Sequence, residues 1–286
     1  MAILQIIKNH ISVLKPRESS LLTFIGVCSA IVAGNGQPPL SVLFLALVTI
    51  LLASAGANGL TNYLDRDVDA KMQRTRNRAL PSKRIYPPEK VLPLTIGLII
   101  AGLALAWQLH WLVFVTDLVG TTVAVVWRKR ITCVFPQGAI ASCTPVLMGW
   151  FAIEPTFSWE IILLCLLIAV WLPLHVWSVM VANRDDYLRA GLGYFPMNIR
   201  VKEAVKVLLA FGMVLYFTSI ALYFVGGFGW LYLVLANLLG IMMVYGISRL
   251  VISGVSRDAW RIYKLSAFPY LGLIFLTMCL DIWLLW

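Results

Sequence analysis

Between Thr61 and Arg78 the chain reads Thr-Asn-Tyr-Leu-Asp-Arg-Asp-Val-Asp-Ala-Lys-Met-Gln-Arg-Thr-Arg-Asn-Arg: three carboxylates and five cations, directly after a long apolar run. Charge that dense is costly beside hydrocarbon, and a membrane protein that keeps it there is expected to bind something highly charged. Carboxylates alone would indicate a divalent cation. Followed by a guanidinium cluster, they indicate a cation together with the phosphates it bridges. On a helix continuing out of the apolar run, Thr61, Asp65 and Asp69 fall at i, i+4 and i+8 and are expected to share a face, while Asp67 turns toward Arg66 or Lys71. Hard oxygen ligands on one face suit Mg²⁺, which takes one or two carboxylates and leaves its other positions to phosphate oxygens and water. Lys71, Arg74 and Arg78 follow at near-helical spacing, where they would neutralise a departing diphosphate. A solvated charged loop is the plainer alternative; it accounts for the cations but not for the stacked carboxylates.

A second acidic pair, Asp185 and Asp186, closes another apolar run four spans later and on the same side. A duplicated four-helix unit would place the two clusters this way, and facing each other across a bundle they would hold metal ions between them. Ion pairs with Arg184 or Arg189 are the competing reading. His175 lies inside the same run, eleven residues or three helical turns before Asp186, and the two share nearly one face if the helix continues. Two readings stand for it: contact with an acceptor substrate, a haem among the candidates, or a hydrogen bond to a neighbouring helix. His10 and His110 fall at membrane interfaces. Asp117 and Asp281 lie toward the outer ends of their runs, away from the charged clusters, where hydrogen bonding or snorkelling accounts for them. Pro145 and Gly149 predict a kinked span in close contact with another helix.

The elements that position these residues are membrane helices. With 286 residues, 60% of them hydrophobic and 13% charged, and a mean hydropathy of +0.87, the chain is too apolar for a soluble globule. Apolar runs near the ~20 residues needed to cross a bilayer recur throughout. They fall at 20–33, 40–64, 91–108, 111–127, 138–153, 159–182, 205–225, 230–250 and 265–286. This predicts an all-α polytopic membrane protein, a single domain over 1–286 with about nine transmembrane helices. Residues 1–18 form an N-terminal interfacial segment, with no signal-peptide cleavage site and no transit-peptide composition.

Threading the runs alternately puts all 23 Lys and Arg on one side, whereas the loops at 34–39, 108–110 and 226–229 carry none. That is the positive-inside pattern. It makes the basic side cytoplasmic, supports an odd span count, and explains the net charge of +10 without a nucleic-acid partner. A bacterial plasma membrane fits. The two long basic-side loops hold most of the polar chemistry, so the active face is expected there. The five cysteines lack metal-like spacing and read as free apolar thiols.

The motif Thr61-Asn62-Tyr-Leu-Asp65-Arg-Asp-Val-Asp69, then Lys71-Met-Gln-Arg74-Thr-Arg-Asn-Arg78, resembles the first aspartate-rich motif of the UbiA-type intramembrane prenyltransferases. Within that superfamily it is most similar to the protohaem IX farnesyltransferases (haem O synthases). Lys15-Pro16-Arg17, Lys129-Arg130, Pro145-Val-Leu-Met-Gly149-Trp150, Trp171-x-x-x-His175 and Asp186-Tyr187-x-x-Ala190-Gly191 follow in the family's order, so the resemblance covers nearly the whole chain. Thr61 stands where the family has Asn, and the runs around His175 and after Gly191 also depart, which bears on the acceptor more than on diphosphate chemistry. The resemblance implies that Asp65, Asp69 and Asp186, with Asp185, hold Mg²⁺ on an allylic diphosphate, with Thr61 and Asn62 supporting the motif. Lys71, Arg74, Arg78, Lys129 and Arg130 would neutralise the diphosphate, and His175 and Tyr187 would position the acceptor. It further implies farnesyl diphosphate as donor and a vinyl group of haem b as acceptor, giving haem O. The alternatives are a quinone precursor or chlorin as acceptor, or a non-catalytic membrane protein that binds haem or isoprenoid.

Overall fold

The apolar runs become helices wherever backbone polar groups must be satisfied within one segment, as hydrocarbon requires. The computed structural model describes residues 2–126 and 133–285. Its helices are α1 (Ala2–Val13), α2 (Pro16–Ala33), α3 (Leu40–Lys71), α4 (Leu92–Leu109), α5 (Trp111–Val126), α6 (Gln137–Phe151), α7 (Trp159–Ala182), α8 (Arg184–Arg189), α9 (Val201–Val225), α10 (Trp230–Ser253), α11 (Ser256–Leu265) and α12 (Leu273–Leu285). Among the described residues there is no strand. Pro16 opens α2 at a position where a missing N–H costs nothing. Gly254 ends α10 in the left-handed region.

Six helices of the described residues are long and apolar enough to cross a membrane: Leu40–Lys71, Pro88–Leu109, Trp159–Ala182, Val201–Val225, Trp230–Ser253 and Ser256–Leu284. Trp111–Val126 is a shorter apolar one. Two of the nine expected runs, in α2 and α6, fall outside this set. Helix α2 starts with Arg17, Glu18 and two serines, and α6 has only 15 residues. Both pack against protein on several sides, and α6 is buried along most of its length. A helix screened from lipid in this way needs neither full span length nor a wholly apolar surface.

Successive long helices are neighbours, from α2 through α7, then α9 and α10, and α12 returns to both α10 and α2 to close the bundle. Helices α2 and α6 also meet inside it, and there the expected close contact is found. A methyl at Gly149 would overlap the carbonyl oxygen of Gly26, and one at Gly26 would stand 2.6 Å from that of Pro145. Ser29 Oγ adds a buried hydrogen bond to the Val146 carbonyl at 2.9 Å. Without a hydrophobic drive between helices in lipid, such small-residue approach and polar contact hold them together. Outside the bundle, α1 leaves Ile3, Leu4, Ile6, Ile7 and Ile11 exposed. The cysteines are free, and all but Cys165 are buried.

Candidate active site

Helix α3 runs unbroken through the first motif to Lys71, as the sequence predicts. Thr61 and Asp65 line a cavity of about 750 Å³, counting its open mouth, between α2, α3, α5 and α6. Asp69 does not join them. Eight residues at ~100° each leave it rotated about 80° from Thr61. It lies instead over Asn62, seven residues back, and is 1% exposed. Arg78 Nη1 donates to Asp69 Oδ2 at 2.8 Å and to Asn62 Oδ1 at 3.4 Å. Burial, with Arg74 adding to it, draws the Arg78 guanidinium below its usual value, although a guanidinium keeps its charge throughout. Asn62 Nδ2 in turn donates to the Val13 carbonyl at 2.6 Å, fastening α3 to the end of α1. The Thr61 hydroxyl donates within its own helix, to the Asn58 carbonyl. Asp67 is exposed and faces Arg66 at 3.8 Å, as expected.

The second cluster is reached by a break. Helix α7 stops at Ala182, Asn183 leaves helical geometry, and α8 begins at Arg184. The continuous helix expected to align His175 with Asp186 is therefore absent. Asp186 accepts backbone N–H bonds from Gln73 at 2.8 Å and Arg74 at 3.1 Å, and one from Arg189 Nη2 at 3.2 Å. Arg74 Nη2 also donates to the Tyr187 hydroxyl at 3.3 Å. The two motifs thus meet: the carboxylate of the second docks the loop that follows the first. Burial opposes the Asp186 charge, but the two amides and Arg189 outweigh it and hold its carboxyl below the usual aspartate range. Asp185 is exposed and borders the same surface depression as Arg74 and Arg189. Lys71 is exposed at the end of α3. Lys129 and Arg130 lie outside the described residues.

Among the described residues, no three His, Cys, Asp or Glu side chains stand where they could hold a metal ion. The carboxylates are dispersed, with Asp65 on the cavity, Asp69 on Arg78, and Asp186 on the loop amides. That donor set does not suit a cage built wholly of protein. It does fit Mg²⁺ arriving on a phosphate, which needs one or two carboxylates and keeps its waters.

His175 is held from both faces. Trp171 stacks on it at 4.9 Å and Tyr263 at 4.5 Å, while its Nδ1 shares a hydrogen bond with Ser266 Oγ at 2.9 Å. Trp171 Nε1 donates to the Ser266 carbonyl. Ser266 opens a π-type turn, Ser266–Gly272, between α11 and α12. The hydrogen bond to a neighbouring segment, one of the two readings, is present. His10 and His110 make local contacts, with the Ile6 carbonyl and the Leu112 N–H.

Residues 20–272 match the UbiA prenyltransferase family. The chain belongs to the UbiA prenyltransferase family. It is therefore a multi-pass membrane enzyme of the prenyltransferase class. A protein named protoheme IX farnesyltransferase from Desulforudis audaxviator is 34% identical over 283 residues, covering 97% of this chain and 89% of that protein. One of the same name from Symbiobacterium thermophilum is 31% identical, covering 97% and 95%. Among solved structures, a digeranylgeranylglyceryl phosphate synthase is similar with a TM-score of 0.78 at 15% identity, covering 96% of this chain and 98% of that one. A UbiA homolog from Archaeoglobus fulgidus bound to GPP and Mg²⁺ is similar at 0.65 and 14%, covering 94% and 99%. At that identity the structural likeness shows the UbiA fold alone.

Two further residues of this UbiA-family bundle reach its cavity, beyond those the sequence points to. Lys15 occupies a left-handed turn (φ 48°) between α1 and α2 and lines the cavity that Asp65 also lines. The Lys15-Pro16-Arg17 run was the available signal. Asp117, expected away from the site, lines the same cavity from α5 and is 1% exposed. A single acid inside an apolar run carries no sign of which way it faces. Asp281, by contrast, hydrogen-bonds as expected, accepting the Gly229 N–H.

Proposed function

We propose that this UbiA-family enzyme transfers a farnesyl group from farnesyl diphosphate to a vinyl group of haem b, with Mg²⁺, giving haem O. One observation carries the reading: Lys15 and Asp65 line one cavity with alanines, threonines, Pro145 and Met148, in a chain aligned over nearly its whole length with proteins named protoheme IX farnesyltransferase. Asp65 would hold the metal-bound diphosphate at the mouth, with Asp185 and Asp186 supporting it from the docked loop. Mg²⁺ would supply charge where the leaving diphosphate becomes more negative.

Lys15, Lys71 and Arg74 would add positive charge there, and Lys129 and Arg130 would do so from the α5–α6 connection. Arg78 is committed to Asp69, and its contribution is to fix the motif's geometry. As the C1–O bond breaks, its electron pair leaves with the diphosphate. The vinyl group supplies the pair for the new C–C bond, and water then adds as hydroxyl and returns a proton. The cavity wall of alanines, threonines, Pro145 and Met148 would lodge the tail and keep water from the allylic cation. His175, clamped by Trp171 and Tyr263, would offer the acceptor its ring edge rather than a face.

The segregation of Lys and Arg supports a cytoplasmic active face, nine crossings and a bacterial plasma membrane, with α1 lying in the interface. The test is purified protein with haem b, farnesyl diphosphate and Mg²⁺, products identified by mass. Haem O is the expected product. Prenylation of a quinone precursor or chlorin, with haem b untouched, would transfer the reading to that acceptor.

A further inference from the structure

Asp117 is a buried carboxyl that the proposed mechanism leaves unused. Its Oδ1 accepts from the Thr121 hydroxyl at 3.1 Å, and its Oδ2 meets no donor among the described residues. A polar atom so placed draws its hydrogen bond from water or from a ligand. Asp117 shares its cavity with Asp65, but the two stand at opposite ends. Helices α3 and α4 run antiparallel in a register set by Gly102 against Ala53 and Gly56 against Ile99. Leu109, the last residue of α4, is thereby level with Ala46 of α3, and Asp117, six residues into α5, comes level with Ala53. Ala53 and Met148 line that end of the cavity too. From Asp65 to Ala53 is twelve residues, about 18 Å along the helix.

An isoprene unit adds four chain bonds, so with C–C bonds near 1.5 Å three extended units span roughly 15 Å and four roughly 20 Å. With the diphosphate on the solvent side of Asp65 and the donor's C1 level with it, the reading on which this step rests, a three-unit tail ends just short of Asp117 and a four-unit tail runs over it. Hydrocarbon laid on Oδ2 displaces its hydrogen-bonding partner and offers none in return. We infer that Asp117 is the length-limiting residue of the tail cavity, a polar floor that admits a three-unit prenyl tail and rejects a four-unit one.

The test measures binding of geranyl, farnesyl and geranylgeranyl diphosphates to the purified full chain with Mg²⁺ and no acceptor. The parent protein is expected to bind farnesyl diphosphate roughly tenfold or more tighter than geranylgeranyl diphosphate. Asp117→Leu brings that ratio near unity, whereas Asp117→Asn, still polar, keeps it. Asp117→Ala gives the same reading should the leucine variant fail to fold. Equal binding of the two longer donors by the parent overturns the inference alone, as does an unchanged ratio in the leucine or alanine variant. A parent that binds none of the three overturns the diphosphate reading and this inference with it.

Discussion

Asp65 and Asp186 each stand near the end of a long helical run, in motifs that look alike on paper, yet their carboxylates meet different neighbours. Around Asp65 the backbone is regular helix, and the side chain borders a cavity lined by small apolar and polar residues together. Around Asp186 the helix has already broken at Asn183, and the carboxylate is occupied by two backbone amides and an arginine. The first carboxylate borders open space inside the bundle, and the second ties down the loop that flanks it. Residue type alone therefore does not separate the two settings. Position in the fold does.

Substitutions that treat the two regions alike should separate them. Asp65→Asn should lower prenyl-transfer turnover about 10²- to 10³-fold while moving the melting temperature little; comparable losses of both would make Asp65 architectural too. Arg78→Ala strips the guanidinium from Asp69, a carboxylate 1% exposed. About 3 kcal/mol of stability should go, the low end for breaking a buried pair because Arg78 is itself partly exposed, as read by unfolding in detergent.

Asp186→Ala removes two charge-assisted bonds to backbone and should cost about 2 kcal/mol. The loss should appear as faster amide exchange at Gln73 and Arg74, with little change elsewhere. That contact also has a pH signature. Its carboxyl is held below the ordinary aspartate value near 3.8, so the stabilisation is full above that value and fades as pH falls through the depressed one. Amide exchange followed from pH 6 to pH 3 checks the sign, and protection that weakens on raising the pH would contradict it.

The smallest effect is expected at His175. Replacing it with Gln forfeits two ring stackings, about 1 kcal/mol. It should raise the KM for the acceptor and leave prenyl diphosphate binding unchanged.

Much of this is legible in the sequence. The apolar runs predict where helices occur, because a backbone in hydrocarbon has almost no other way to satisfy its hydrogen bonds. Helix α3 carries the first motif as far as Lys71, and Gly149 and Asp281 make the contacts that their surroundings in sequence indicate. Three positions differ, each for its own reason. Spacing by fours puts Asp69 on the face of Thr61 and Asp65, but helical rotation accumulated over eight residues carries it toward Asn62 and Arg78. A continuous helix would align His175 with Asp186, but Asn183 ends it. A place toward the outer end of its run sets Asp117 apart from the site, but the packing of α4 on α3 brings it level with Ala53.

By itself, then, the sequence determined the helical membrane fold, the side that carries the charge, and the chemistry its first motif can support. These are local properties of composition and spacing. Only the tertiary structure decided which acid faces the cavity, which one is locked to an arginine, and which one pins a loop more than a hundred residues away. Such choices depend on how helices rotate and pack against distant partners, and a chain read one residue at a time does not carry that information.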